Sequence, residues 1–559
     1  MSGTDHPDHP YTAHSYTAHS YTAHQDLFAR DNLPPRAQWP DFINLDRLGY
    51  PERMNCAAEL LDAQVAAGFA DGPCLRSERG DWSYRELQEN ANRVARVLVR
   101  DLGMVPGERV LLAAPNNPMM VASWFGVVKA GGVAVAAMPL LRAKELRTIA
   151  DKAKVRLALC DASLRDEVER AAAGSDTLGR VHYFYGGDLE SLMAKQPPDF
   201  EAVETAADDV CLIAFTSGTT GSPKGTVHFH RDVLAICDTF SREVLRPEPD
   251  DLFIGSPPIA FTFGLGGLVL FPMRVGASSY LLEKPSPPKL AAAIERSGAT
   301  VSFTSPTAYR MMLDSGCDLS SLKKCVSAGE TLPKATWDAW FNETGLKLID
   351  GIGATEMLHI FISAAEGDIR PGATGKPVPG YEAKVVDDEG RELSPGQVGR
   401  LAVRGPTGCR YLADERQLAY VQGGWNLTGD LYERDEDGYF HYRSRADDMI
   451  VSAGYNISGP EVEDALLTHP AVSECAVVGA PDPIRGQIPK AYVVLKDGVL
   501  KDGRAGSDAL VKRLQEHVKA TVAPYKYPRA IAFVDSLPRT QTGKVQRFRL
   551  RERAAEDAP

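Results

Sequence analysis

From Arg109 onward the chain alternates short apolar runs with stretches of helical period: Val110 to Ala114, Pro118 to Lys129, Val133 to Met138, Ala143 to Ala153, and Leu157 to Cys160. Apolar runs without polar alternation suit strands buried on both faces, and parallel strands need a crossover helix between them. This βαβαβ rhythm predicts a parallel sheet covered by helices. A second cycle runs through Val210 to Phe215, a glycine-rich loop and a helix near Asp232 to Val244. A third covers Leu268 to Leu282, a helix over Pro288 to Ser297 and a strand over Val301 to Thr304. From Gly375 to Tyr442, short strands separated by Asp388-Glu389-Gly390 and Asp437-Gly438 predict a β-rich subdomain. After Arg445 a separate unit follows, with strands at Cys475 to Val478, Ala491 to Leu495 and Ile531 to Val534 and a helix near Asp508 to Thr521. The expected fold class is α/β, with a large N-terminal lobe of parallel sheets, a β-rich subdomain and a small α+β C-terminal lobe. The predicted domains are 26–446 and 447–559, after a tail over 1–25. A chain of 559 residues exceeds one core, and at roughly 150 residues per domain it divides into about three or four lobes.

Several function classes are disfavoured. The net charge of −12 offers no broad cationic face for a nucleic acid. The stretch Met119 to Leu141 is interrupted by Lys129, Gly131-Gly132 and Pro139, as expected of a buried helix turning into a buried strand rather than a membrane span. Nine cysteines without a C-x-x-C pair predict reduced thiols in a cytoplasmic protein, with no disulfide frame or zinc site. The start has no apolar core and so predicts no secretory signal. It instead repeats Tyr11-Thr12-Ala13-His14-Ser15 at Tyr16 and again through His24. Five of the twelve histidines lie there, at a spacing that matches no closed ligand set, and the segment reads as a disordered tail.

The segment with the strongest chemistry is Thr216-Ser217-Gly218-Thr219-Thr220-Gly221-Ser222-Pro223-Lys224-Gly225, directly after the apolar run Val210 to Phe215. Glycines let backbone N–H groups turn toward an anion, hydroxyls add donors, and Lys224 supplies a charge able to follow phosphates. Nucleotide binding follows. A Walker A loop does not, because Lys224 follows Pro223 and precedes Gly225 instead of a serine or threonine.

Four further segments suit one nucleotide site. Gly351-Ile352-Gly353-Ala354-Thr355-Glu356 offers close backbone approach plus a carboxylate fit for Mg²⁺, and Thr428-Gly429-Asp430 offers an acid of the kind that accepts from ribose hydroxyls. Pro538-Arg539-Thr540-Gln541-Thr542-Gly543-Lys544 sets one lysine on a glycine-flexed loop, and Ser327-Ala328-Gly329-Glu330 forms a turn.

In order and separation these segments resemble the adenylate-forming superfamily of acyl- and aryl-CoA ligases, peptide-synthetase adenylation domains and firefly luciferase. The resemblance covers most of residues 40 to 550. It implies a phosphate loop at Thr216 to Gly225, an Mg²⁺ glutamate at Glu356, a ribose aspartate at Asp430 and a ribose-contacting arginine at Arg445. It further implies a hinge at Asp447, a catalytic lysine at Lys544 and an adenine-facing turn at Gly329 and Glu330. Thr219 and Thr220 would steady the leaving pyrophosphate. Ile352 departs from the aromatic that many members place against adenine. The stretch Asp350 to Phe361 resembles benzoate-CoA ligases, and the openings Phe28 to Pro35 and Phe261 to Gly266 resemble 2-aminobenzoate-CoA ligases. On that pattern Phe261, Thr262, Phe263, His359 and Ile360 would line an aryl pocket. No acid stands there to hold an ammonium, so free α-amino acids are poor substrates. The implied chemistry is ATP-dependent formation of an aryl-AMP and transfer to a thiol, with ATP, Mg²⁺ and coenzyme A as partners and a mobile small lobe. The acceptor is either free CoA or a carrier-protein phosphopantetheine, since the basic stretch Lys526 to Arg553 suits both. The protein is expected as a monomer or homodimer.

Overall fold

The computed structural model describes residues 21–216, 223–446, 448–452, 455–482, 485–496, 507–540 and 544–557. The segment that could be mistaken for a membrane span becomes helix Pro118–Lys129, every residue of which is buried, followed by strand Val133–Ala137. Asn117 starts the helix by accepting from the Met120 N–H at 3.0 Å, and Pro118 occupies the first turn, where an N–H has no helical partner. The helix ends on buried Lys129, whose Nζ donates to Asp62 at 2.7 Å and Asn92 at 2.5 Å. Burial lowers the Lys129 pKa, and Asp62 opposes that shift. Among the described residues, no helix is long and apolar enough to cross a membrane.

The described residues form four sheets. One has the order Arg180–Phe184, Leu157–Asp161, Arg109–Ala113, Val133–Ala137, Val210–Thr216 and Lys224–Phe229; all pairs but the last are parallel. The second runs in parallel from Leu348–Gly353 through Lys324–Ala328, Val301–Thr304, Leu252–Gly255 and Ser278–Leu281 to Pro73–Ser77, with antiparallel edges. The central strands are buried on both faces, which is why they read as unbroken apolar runs. An antiparallel sheet spans Glu382–Val386 to Phe440–Arg445, at the place the turn signals indicated. A fourth begins at Ile450–Ser452 and contains Val472–Asp482, Gly486–Leu495 and Ala530–Phe533, backed by helices Gly459–Leu467 and Ser507–Thr521. The molecule is thus a large lobe built on parallel sheets and a smaller C-terminal lobe.

Two local readings differ, and one convergence was not visible in the sequence. The glycine-rich loop does not lead straight into a helix: the chain returns as antiparallel strand Lys224–Phe229 before helix His230–Ile236 begins. The last copy of the N-terminal repeat is not a free tail. The Tyr21 hydroxyl donates to the Glu204 carbonyl at 2.6 Å, the Ala23 N–H donates to Asp209 at 2.9 Å, and His24 is buried. Arg53 stacks 4.0 Å over the Tyr21 ring. Finally, although the cysteines are scattered in sequence, Cys56 and Cys211 converge with His230, with ligand atoms all within 4.8 Å of one another.

Candidate active site

The segment expected to hold phosphates is flanked by a cross-strand pair, Thr216 and Lys224. Ser217, Gly218, Thr219, Thr220 and Gly221 lie outside the described residues. Lys224 Nζ donates to the Tyr411 hydroxyl at 2.8 Å and lies 3.6 Å from Glu356 Oε1, while the Tyr411 hydroxyl donates to the same carboxylate at 2.5 Å. Burial and then the neighbouring Glu356 charge push the Tyr411 hydroxyl well above its ordinary pKa, so it remains a neutral donor. Tyr411 reaches this position through an antiparallel bridge to Thr226 and packs edge-on to Tyr420 at 5.7 Å. No motif marks it in the sequence. Its signal is only a tyrosine in the irregular chain before Gln417–Tyr420.

Asp430 and Arg445 are register partners on adjacent strands, and Arg445 Nη1 donates to Asp430 Oδ1 at 3.0 Å and to the Thr428 carbonyl at 3.1 Å. Burial raises the Asp430 pKa, with Arg445 the main opposing influence.

Lys544 closes a small hairpin: Arg539 and Val545 form a bridge, the Thr540 N–H donates to the Lys544 carbonyl at 2.7 Å, and the Lys544 N–H donates to Thr540 Oγ1 at 3.1 Å. Gln541 to Gly543 are outside the described residues, as is Asp447. The Lys544 side chain reaches the large lobe, where a Cβ added to Gly329, at φ +90°, would sit 3.6 Å from its Cε. That is ordinary contact, so it is the left-handed backbone, not space, that favours glycine there. The residue stays solvent-accessible within the cavity. Partial withdrawal of its ammonium from water lowers its pKa, while Glu330 and Asp430 favour the charge. Arg539 on the same hairpin lies 3.5 Å from Glu330 in the large lobe and 2.5 Å from Glu474 in the small one, bridging the two.

A cavity of about 1880 Å³ joins these groups. It is lined from the large lobe by Thr216, Lys224, Gly329, Glu330, Ile352, Gly353 and Glu356, from the antiparallel sheet by Asp430 and Arg445, and from the small lobe by Lys544. Thr355 is the described member of the predicted nucleotide set that does not line it; its carbonyl accepts from His228 Nε2 at 2.8 Å instead. Asp350 lines the cavity with Oδ1 unpartnered, and burial pushes its carboxyl up to about 8.

The five residues expected around an aryl group do not line this cavity; His359 and Ile360 lie against its Gly353 wall, which pairs with strand Ile360–Ser363. Thr262 and Phe263 open helix Thr262–Leu265, with Phe261 just before it. Phe263 packs on His359 at 5.6 Å between ring centroids, and Phe240, Phe271 and Phe303 complete a cage around that imidazole at 5.4, 4.6 and 6.4 Å. The three additional phenylalanines carried no sequence signal beyond ordinary core residues. Neither His359 nitrogen completes a well-formed hydrogen bond among the described residues, the Phe263 backbone being its polar neighbour, and burial lowers its pKa to about 3, leaving a neutral ring. Gly266 is required beneath it, because a Cβ there would fall 2.4 Å from His359 Cδ2. Leu358, at φ +69°, turns the chain into this cage in a conformation costly for a branched residue. Ile360 is fully buried against Gly351 and belongs to the core.

The arrangement coincides with known proteins. The family pattern described as AMP-binding enzyme matches residues 62–411, and that of the AMP-binding enzyme C-terminal domain matches residues 461–544. The benzoate–CoA ligase of Thauera aromatica is 36% identical over 512 residues, covering 90% of this chain and 96% of the relative. The crystal structure of the anthranilate CoA ligase AuaEII in complex with anthranoyl-AMP superimposes with a TM-score of 0.87 at 36% identity, covering 91% of this chain and 99% of the other. A benzoate CoA ligase from Burkholderia xenovorans LB400 gives 0.82 at 33% identity over 89% of this chain and all of its own. With both lobes matched in order and Thr216, Lys224, Glu356, Asp430 and Lys544 facing one cavity, the chain belongs to the AMP-binding enzyme family.

Proposed function

We propose that the protein is an AMP-forming aryl-CoA ligase: it joins an aromatic carboxylate to the α-phosphate of ATP with release of pyrophosphate, then passes the aryl group to the thiol of CoA. The observation that carries this reading is the presence of Lys544, from the small lobe, in the same cavity as Thr216, Lys224, Glu356, Asp430 and Arg445. The first step must bring two anions together. A carboxylate and a phosphate about 4 Å apart repel by roughly 4 kcal/mol at an effective dielectric of 20, so a cation between them is needed. Lys544 is that cation, and Glu330 and Asp430 favour its charged form.

Lys224 and the loop hold the phosphates, and Asp430 with Arg445 orients the ribose. Glu356 suits Mg²⁺: it is an oxygen donor at the cavity wall, beside the phosphate hairpin and fixed by Tyr411. When bound there, Mg²⁺ would neutralise phosphate charge. Lys224, 3.6 Å from Glu356 Oε1, adds a protein cation at the same place. Transfer to the thiol has no use for Lys544, and a small lobe that swings about Asp447 would withdraw it and admit the pantetheine arm.

The aryl group belongs behind Ile352 and Gly353, among Phe263, Phe303 and neutral His359. We infer a preference for 2-aminobenzoate, because Thr262 and an unpartnered imidazole can hydrogen-bond an ortho amino group that an all-carbon pocket would leave unpaired. The test compares CoA-thioester formation and pyrophosphate release for benzoate, 2-aminobenzoate and 2-methylbenzoate. One net hydrogen bond of about 1.4 kcal/mol predicts an approximately tenfold higher kcat/KM for 2-aminobenzoate, lost in Thr262→Ala or His359→Leu. A wild-type preference for benzoate removes the ortho-amino assignment, and absence of thioester with free CoA removes the CoA-ligase reading.

A further inference from the structure

We propose that Cys56, Cys211 and His230 form a buried structural zinc site in the large lobe, apart from the nucleotide cavity. Cys56 begins a helical segment, Cys211 is the second residue of strand Val210–Thr216, and His230 is the first residue of helix His230–Ile236. The two outer ligands are 174 positions apart in sequence. Cys211 and His230 are fully buried, as is Cys56, and the three ligand atoms all lie within 4.8 Å of one another. His230 Nδ1 is 3.2 Å from Cys56 Sγ. A tetrahedral zinc bound at about 2.3 Å to sulfur and 2.0 Å to nitrogen separates those two atoms by about 3.5 Å, so coordination asks for a shift of tenths of an ångström.

Charge favours a divalent cation such as zinc over a monovalent soft one. Two thiolates, one Zn²⁺ and a neutral imidazole sum to zero, which a fully buried site requires; a monovalent cation would leave an unpaired buried negative charge. Binding releases the two thiol protons to solvent. Three ligand atoms converge among the described residues, so a fourth would have to come by a side-chain shift, for which the last N-terminal repeat offers His24, close enough to His230 for their charges to interact. The Ala23 N–H and Thr22 hydroxyl fasten that extended segment to Asp209, two residues before Cys211, and His24 beside it is buried with Nε2 unpartnered. The metal would pin the base of the strand whose other end carries Thr216, about 17 Å away at 3.3 Å per residue. Without metal, the same atoms make a thiol–imidazole pair in which His230 Nδ1 also accepts from the Cys56 N–H at 3.1 Å.

The experiment is metal analysis of the untagged full-length protein from zinc-supplemented cells, with mass-spectrometric thiol counting. About one zinc per chain is expected, surviving dialysis against a weak chelator and released by a mercurial thiol reagent. Cys211→Ser should lower zinc to background. A full-length variant with His6, His9, His14 and His19 changed to alanine should keep it. Cobalt substitution should give thiolate-to-metal charge-transfer absorption, a readout independent of whether Cys211→Ser folds. The proposal is overturned by zinc-free wild type, by a Cys56–Cys211 disulfide, or by zinc that disappears with the tail histidines and survives Cys211→Ser.

Discussion

Replacing Lys544 with alanine is expected to lower the rate of aryl-adenylate formation by at least about 100-fold while leaving thioester formation from supplied aryl-AMP close to wild type, the scale of one lost charged transition-state contact. The split follows from where the lysine sits. It shares the cavity with the phosphate hairpin and the Asp430–Arg445 pair, and its charge is balanced by Glu330 and Asp430. Only the first half-reaction presses a carboxylate against a phosphate; the second moves a neutral acyl carbon onto a thiol. Asp447→Pro should give the opposite pattern, sparing adenylation and slowing transfer to CoA, because a fixed φ resists rotation of the small lobe. Single-turnover assays of each half-reaction decide the matter. Equal losses in both steps for Lys544→Ala would end its assignment as the bridging cation, and an Asp447→Pro enzyme with normal transfer would end the pivot.

Asp232→Asn is expected to destabilise the large lobe by about 3–5 kcal/mol, as when one partner of a buried ion pair is removed and the other left uncompensated. Arg410 and Asp232 are both fully buried, and Arg410 Nη2 donates to Asp232 Oδ2. Arg231 lies 3.6 Å from the same carboxylate and His228 3.8 Å. Aromatic rings enclose the guanidinium, with Phe229 at 3.9 Å and Phe42 at 4.9 Å. Asp232 also accepts from the Phe229 N–H at 2.9 Å, so it caps the helix that follows the phosphate hairpin. Burial pushes its carboxyl up, but Arg410, the nearby His228 and Arg231 outweigh that and hold it well below the ordinary carboxylate range.

The sign for acid stability follows. A depressed folded-state pKa contributes stability that is complete above the unfolded value near 4 and is lost as pH falls through the folded value. Wild type should therefore lose more stability than Asp232→Asn between about pH 5 and pH 2. Urea unfolding at neutral and acid pH measures both effects. A neutral-pH loss under about 1 kcal/mol would mean that the pair is not a keystone of this lobe.

Much of the site is legible in the amino-acid sequence alone, and for a physical reason. The proposed phosphate loop, ribose acid and glycine-flexed lysine would be local devices: glycine, hydroxyl and lysine must stand within a few residues of one another for the backbone to present them, so their candidate chemistry is written contiguously at Thr216 to Gly225, Thr428 to Asp430 and Pro538 to Lys544. The alternation of buried strands and helices is equally local, since hydrophobic period follows from secondary structure alone. What the tertiary structure decided is which distant segments meet. Tyr411 joins Lys224 to Glu356 only because a bridge brings it beside Thr226. His359 becomes a neutral caged imidazole because four phenylalanines from three separate segments close on it. Arg410 finds Asp232 across 178 positions, and Cys56 finds Cys211 and His230 in the same way. Such partners are fixed by sheet order and strand register, which no window of sequence contains, and burial then makes each meeting costly to break.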